Sequence, residues 1–391
     1  MKNKGDKKTK RDEYYWRIMR HRTLMVYKVL GIAAAIILAA VALYFSWLNK
    51  EYTDYDIVSD EDRRDSEDAK YVAYNGNVIK YSRDGAEAFD GRNNPLWNIT
   101  FEMQNPKIAT CRDYAALGDF KGNHIYVINR SGDQGEIETK LPLSSFCISA
   151  QGVVAAVLED ENESRIHLYS PEGELLAEMK LTMSKSGYPV DLAISDDGMK
   201  LGVSHMRIEN GQLKSSVSFY NFGEVGKNEI DNYVSGYDYA DTVMPLIHFM
   251  DNDSAFALGD GRLVFYKGAQ KPVSVAEIFI SEEIKSVYYG EGRVALVFRD
   301  TESSGGYRVD VYSGSGKLEY SQKTDLAYTD MALKKDLLII YNDIDCEMYS
   351  SSGRLKYAAG FKEPMLLLVP GDSVSSWTLV NRDTVQLVEL K

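Results

Sequence analysis

A seven-residue phrase recurs along this chain with fixed internal spacing. It reads Tyr169-Ser170-Pro171-Glu172-Gly173-Glu174-Leu175, then Tyr312-Ser313-Gly314-Ser315-Gly316-Lys317-Leu318, then Tyr349-Ser350-Ser351-Ser352-Gly353-Arg354-Leu355. In each copy glycine follows tyrosine by four positions and leucine follows glycine by two. Such spacing suits a strand ending at Tyr, a tight turn whose glycine takes positive φ, and a returning strand that starts near Leu. Weaker copies end strands at Ile128-Asn129, Tyr220-Asn221 and Tyr266-Lys267, and a degenerate one runs from Phe89-Asp90 to Leu96-Trp97. Successive copies lie roughly 40 to 50 residues apart, the length of a four-stranded blade, which predicts a β-propeller.

The segments between the copies agree. From about Tyr71 onward, short apolar or alternating runs such as Ile125 to Ile128, Val153 to Leu158 and Leu337 to Tyr341 are separated by Gly, Asp, Asn and Ser. They read as strands, and the lack of helical periodicity over three turns argues against a parallel sheet with crossover helices. Third strands are expected at Phe89, Val127, Leu168, Phe219, Phe265, Val311, Met348 and Leu387, giving eight blades with seven as the alternative. Tyr81-Ser82-Arg83-Asp84-Gly85 imitates the phrase one strand too early. The ring is expected to close by pairing Val385 to Leu390 with the first segment, because closure removes exposed edges.

Ahead of the repeats, Val29 to Leu48 forms a 20-residue run without a charge. As a helix it would rise about 30 Å, enough to cross a bilayer. Tyr44 and Trp47 sit at its far end, where amphipathic rings favour the headgroup level. Ten Lys and Arg precede the run against three acids, while Glu51, Asp54, Asp56, Asp60, Glu61, Asp62, Asp65, Glu67 and Asp68 crowd the segment after it. The charge bias predicts a cytoplasmic N-terminus and an exported C-terminal part. A cleaved signal peptide is the competing reading; against it stand the 28 residues before the run and its continuation through Trp47 and Leu48. The expected organisation is a basic cytoplasmic tail over 1–28, a transmembrane helix over 29–48, an acidic extended stalk over 49–70 and a propeller over 71–391.

The hairpin Ala193-Ile194-Ser195-Asp196-Asp197-Gly198-Met199-Lys200-Leu201 resembles the inner-hairpin phrase of WD40-like and TolB-like propellers, and the Leu96-Trp97 ending resembles quinoprotein repeats. With the anchor and endings such as Lys80-Tyr81-Ser82-Arg83-Asp84-Gly85, the chain resembles a family of bacterial single-pass, membrane-anchored propellers of unknown function. That resemblance implies fold and location, and it carries no functional residue.

Setting aside the cations and acids before the apolar run leaves 35 basic and 55 acidic residues, so the outer part repels nucleic acid and anionic lipid. Cys111, Cys147 and Cys346 are too few and too scattered for a disulfide framework, which points to buried free thiols, with one long-range bridge as the alternative. His124, His167, His205 and His248 occur singly, without metal-ligand spacing, and read as structural. The acidic turns Asp251-Asn252-Asp253 and Asp343-Ile344-Asp345 lack a full calcium ligand ladder. Gly314-Ser315-Gly316 belongs to the repeat rather than to a nucleophile elbow. No catalytic residue, metal or cofactor is therefore expected.

Many of the 27 tyrosines belong to the repeat. The clusters Tyr233, Tyr237, Tyr239 and Tyr288, Tyr289 do not, and they are candidates for a binding surface, with packing between strands as the alternative. The reading that results is an anchored, non-catalytic binding or scaffold module for a protein or cell-envelope partner. The alternative is an extracellular enzyme acting on glycan or peptide through carboxylates at the propeller channel.

Overall fold

The computed structural model describes residues 5–391 except 49, 64, 67, 161–162, 183–186, 210, 241 and 302–304. The chain divides after residue 51 into two compact units. The first is one helix, Gly5–Leu48, unbroken across the expected boundary between tail and span. Its stretch Tyr14–Leu43 is long and apolar enough to cross a membrane. The side chains of Tyr44 and Trp47 lie outside the described residues.

The second unit is an eight-bladed propeller, each blade a four-stranded antiparallel meander. Blades 1 to 7 span 70–100, 106–138, 143–182, 188–240, 246–279, 284–324 and 330–360. Blade 8 takes three strands from 365–390 and its outer strand from Tyr55–Asp62, which pairs antiparallel with Thr384–Leu390. First strands of neighbouring blades meet around the centre. All eight third strands fall at the expected residues, from Gly85–Phe89 through to Thr384–Leu390.

The recurring phrase now has a physical cause. In seven blades the register between third and fourth strands slips at the phrase's first residue, as at Leu168/Tyr169, Val311/Tyr312 and Met348/Tyr349. The bulge twists the outer strand, and the turn that follows needs a left-handed residue. Gly173, Gly316 and Gly353 supply it with φ of 90°, 79° and 74°. The serine after each tyrosine closes the turn: the amides of Glu174, Lys317 and Arg354 donate to the hydroxyls of Ser170, Ser313 and Ser350 at 3.2 to 3.3 Å.

Closure by both chain ends is observed, but the closing strand comes from the segment expected to be a stalk. Tyr55–Asp62 lies in the ladder although it reads as acidic and aperiodic. An outer strand has a partner on one edge and solvent over most of both faces, so its hydrogen bonds, not apolar side chains, hold it. Apart from Ser59, which is half-buried, Tyr55 alone in this strand is shielded from solvent; it packs on Phe361 at 5.2 Å and accepts the Lys362 amide at 3.0 Å. The propeller therefore starts near Tyr52, not Tyr71.

The core consists of apolar seams between adjacent blades. Ala155, Ile166 and Leu168 of blade 3, for instance, pack with Leu192, Leu201 and Val203 of blade 4. Dense seams make the ring rigid, and any place where a seam fails to fill becomes informative.

Candidate functional site

Blade 4 departs from the repeat in two ways. Its central strands, Lys200–Glu209 and Gln212–Asn221, are each 10 residues long. Eleven residues, 222–232, join its third and fourth strands, where the corresponding joins in blades 3, 5, 6 and 7 take four or five. The insertion carries two short 3-10 turns, Gly226–Asn228 and Ile230–Asn232, with Asp231 and Asn232 at positive φ of 55° and 58°. Asp and Asn are the residue types that tolerate this conformation. Lys271 to Glu229 at 2.6 Å and Asn221 Nδ2 to the Gln270 carbonyl at 2.9 Å tie it to blade 5.

Between the outer parts of blades 3 and 4 lies a groove of about 1400 Å³. Register builds its floor in rows. Leu201, Tyr220 and Tyr233 sit abreast, then Val203, Ser218 and Gly236, then His205, Ser216 and Asp238. Two serines and a glycine stand where other seams carry apolar bulk, so the wedge between blades stays open. From the row of Glu209 and Gln212 to the row of Tyr220 the groove runs about 27 Å at strand rise.

Ion pairs line both sides. Arg165 donates to Glu178 at 2.9 Å on the blade 3 wall, and Arg207 reaches Asp238 at 3.1 Å and Ser216 at 3.2 Å on blade 4. His205 lies between them, 1% exposed, with neither ring nitrogen hydrogen-bonded among the described residues. Burial, then the Arg207 charge, pushes it down to about 4, so it is neutral at pH 7. Arg165 Nε is likewise buried without an acceptor. Ile208 at one end and Ile230 at the other are 79% and 86% exposed.

The five tyrosines do not form one surface. Tyr233 lines the groove, its ring edge-on to Tyr220 at 5.9 Å. Tyr237 borders the groove, while its ring lies 5.2 Å from Tyr266 and its hydroxyl reaches the Pro272 carbonyl of blade 5. Tyr239 is buried, hydroxyl to hydroxyl with Tyr266. Tyr288 packs between blades 6 and 7, edge-on to Tyr328 at 6.3 Å. Tyr289 lies on His248 at 4.2 Å. Sequence reasoning set His205 down as structural and did not weigh Arg165 or Arg207; the overlong join after Asn221 was the available signal.

The other histidines make local contacts: His124 with Glu136 and His167 with Tyr169, each at 2.9 Å. Cys111, Cys147 and Cys346 are free thiols. Among the described residues no group of three or more His, Cys, Asp or Glu side chains is placed to hold a metal ion. On the first strand of blade 4, burial raises the Asp191 carboxyl to about 6 although the Ile247 amide donates to it at 2.8 Å.

These features define an eight-bladed β-propeller with a single N-terminal apolar helix and a polar groove between two blades. The chain belongs to DUF5711, a family of unknown function, whose profile matches residues 48–390. No curated protein matches it in sequence. Among solved structures it is similar to Chaetomium thermophilum Sqt1 bound to the N-terminus of ribosomal protein L10, at 14% identity and TM-score 0.56, covering 86% of this chain and 100% of that one. It is also similar to a eukaryotic initiation factor, at 10% identity and TM-score 0.51, covering 86% and 87% of the two chains. The Neurospora crassa Pan2 WD40 domain aligns at 8% identity and TM-score 0.47, covering 86% and 95%. At such identities the likeness concerns the fold alone.

Proposed function

We propose that this protein is a membrane-anchored binding module, with its basic tail in the cytoplasm, its propeller outside, and the groove between blades 3 and 4 receiving a segment of a partner protein. The observation that carries this reading is the groove itself: one seam of a regular ring left open, and an insertion at 222–232 forming its end. Clefts with a few convergent polar groups are where ligands bind. Charge supports the orientation, through the cations before the apolar helix and the acids after it. The propeller of Sqt1 is bound to the end of another protein, which illustrates the mode without supplying the partner.

Photocrosslinking in intact cells tests both halves. A benzophenone amino acid at Tyr233 or Ile230 should give a discrete protein adduct, and one at exposed Leu366 on blade 8 should not. Cysteine placed at Ser315 should react with a membrane-impermeant thiol reagent before lysis. Adducts of equal yield at all three sites would remove the groove from the account, and a Ser315→Cys variant that labels only after lysis would overturn the orientation.

A further inference from the structure

Three features of the groove bear on the chemistry of its ligand. The first is charge, which cancels locally: Arg165 is paired with Glu178, and Arg207 with Asp238. A charged ligand at Arg165 would have to displace Glu178 from a partly buried pair, which costs more than the new pair returns, whereas the Arg207 pair, with Asp238 largely exposed, adds little either way. The second is the set of unpartnered groups on the floor. His205, 1% exposed, offers one N–H and one bare nitrogen, and Arg165 offers its Nε–H. A carboxylate or phosphate presents acceptors only, whereas a peptide backbone presents carbonyls and N–H groups in succession, so that one amide can meet the imidazole N–H and another its bare nitrogen. The third is the distribution of apolar surface, which sits at one end, at Ile230 with Tyr233; at the other end Ile208 stands on the opposite face of its strand from His205, and Arg207 and Glu209 take the groove side.

From these we infer that the groove takes an extended, uncharged polypeptide segment of about eight residues, backbone amides of its middle seated on His205 and Arg165 and an apolar side chain at one end on Ile230. This rests on the proposed binding role and adds the ligand's chemistry. Serine hydroxyls on the floor, Ser216 and Ser218, complete a surface that reads hydrogen bonds rather than charge.

The test uses the full-length protein in lipid nanodiscs and a phage-displayed library of random linear peptides as probe. Recovered peptides should carry uncharged central residues and an apolar residue at one end. Their affinity should fall at least tenfold on His205→Phe, which removes the hydrogen bonds, and on Ile230→Asp, which alters only an exposed lip. Ser218→Trp, which fills the groove, separates the two levels of the argument. If recovered peptides bind Ser218→Trp as well as the wild type, the groove is not the site and the binding reading fails with it. If Ser218→Trp abolishes binding but the peptides are rich in Asp, Glu, Lys or Arg and His205→Phe binds them normally, the site stands and the inferred chemistry falls. A library that yields no peptide on the wild type, with binding on a glycan array instead, assigns the groove to saccharides and overturns the peptide inference.

Discussion

The guanidinium of Arg63 lies 3.8 Å from the centre of the Phe89 ring, fastening the end of the closing strand to blade 1. The same group donates to Asp65 at 2.8 Å and Glu87 at 3.0 Å, and the Arg63 amide donates to the Asp383 carbonyl of blade 8. Lys80 completes the cluster, 2.8 Å from Asp65 and 2.7 Å from Glu87. One arginine thus bridges the first and last blades. Arg63→Ala leaves two acids short of a partner and should cost about 3 kcal/mol in urea unfolding.

The cluster also sets an acid limit. Burial alone would raise the Asp65 carboxyl, but hydrogen bonds from Arg63, Lys80 and Tyr71 outweigh it and hold the group well below the usual carboxylate range. A depressed carboxyl contributes stability above its unfolded value near 4 and loses it as pH falls further. Arg63→Ala should therefore shrink the stability lost between about pH 4 and pH 2, measured as the urea midpoint against pH.

Two groups of blade 4 respond to acid in opposite directions. Asp191, raised to about 6, holds an extra proton in the folded chain between about pH 4 and 6, so its burial penalty is full above pH 6 and gone below pH 4. Asp191→Asn should stabilise the protein by about 1–2 kcal/mol at pH 7 and by nothing at pH 4. His205, lowered to about 4, favours the fold above its unfolded value near 6.5 and loses that contribution as pH falls toward 4. His205→Leu removes two unpaired buried nitrogens and should raise the unfolding free energy by about 1 kcal/mol at pH 7, and by more at pH 5, while weakening ligand binding.

The repeated glycines are not equivalent. A Cβ on Gly316 would meet the Ala276 Cβ at 2.5 Å, and one on Gly353 meets nothing nearer than the Gln322 side-chain oxygen at 3.5 Å. Gly353→Ala carries only the left-handed conformation's cost of about 1 kcal/mol. Gly316→Ala adds a clash between blades and should cost about 2–3 kcal/mol. Equal thermal midpoints for the two variants would contradict the packing described for blades 5 and 6.

Tyr55→Ala, inside the segment whose composition suggested an unpacked stalk, should cost about 3 kcal/mol by removing a buried ring from the seam of blades 7 and 8. Asp60→Ala in the same strand should be silent within about 0.5 kcal/mol. Thermal melts of the two single variants distinguish a paired strand from a loose linker.

The ring was readable because its grammar is local. Tyr, Ser and Gly within five positions specify a bulge and a turn, and each copy marks its blade, so the third strands at Leu168, Val311 and Met348 could be placed from sequence. Tyr55–Asp62 was not readable, since an edge strand with open faces needs no apolar alternation and its acids look like those of a disordered segment. The groove was half visible. Tyr233 and Tyr237 stood out as tyrosines outside the repeat, but His205 meets Ser216 and Asp238 only through strand register, which no local spacing encodes. Tyr239 and Tyr288 carried the same outward signal and turned out to fill seams.

The shared composition of blade 8 has a consequence for biogenesis. Its outer strand is among the first parts of the propeller to leave the ribosome, and its neighbour, Thr384–Leu390, is among the last. Throughout translation Tyr55–Asp62 must wait without its mate, so the ring closes only after Thr384–Leu390 has emerged. A chain that stalls before Thr384 is left open at one defined place, recognisable to quality-control machinery by that unpaired edge.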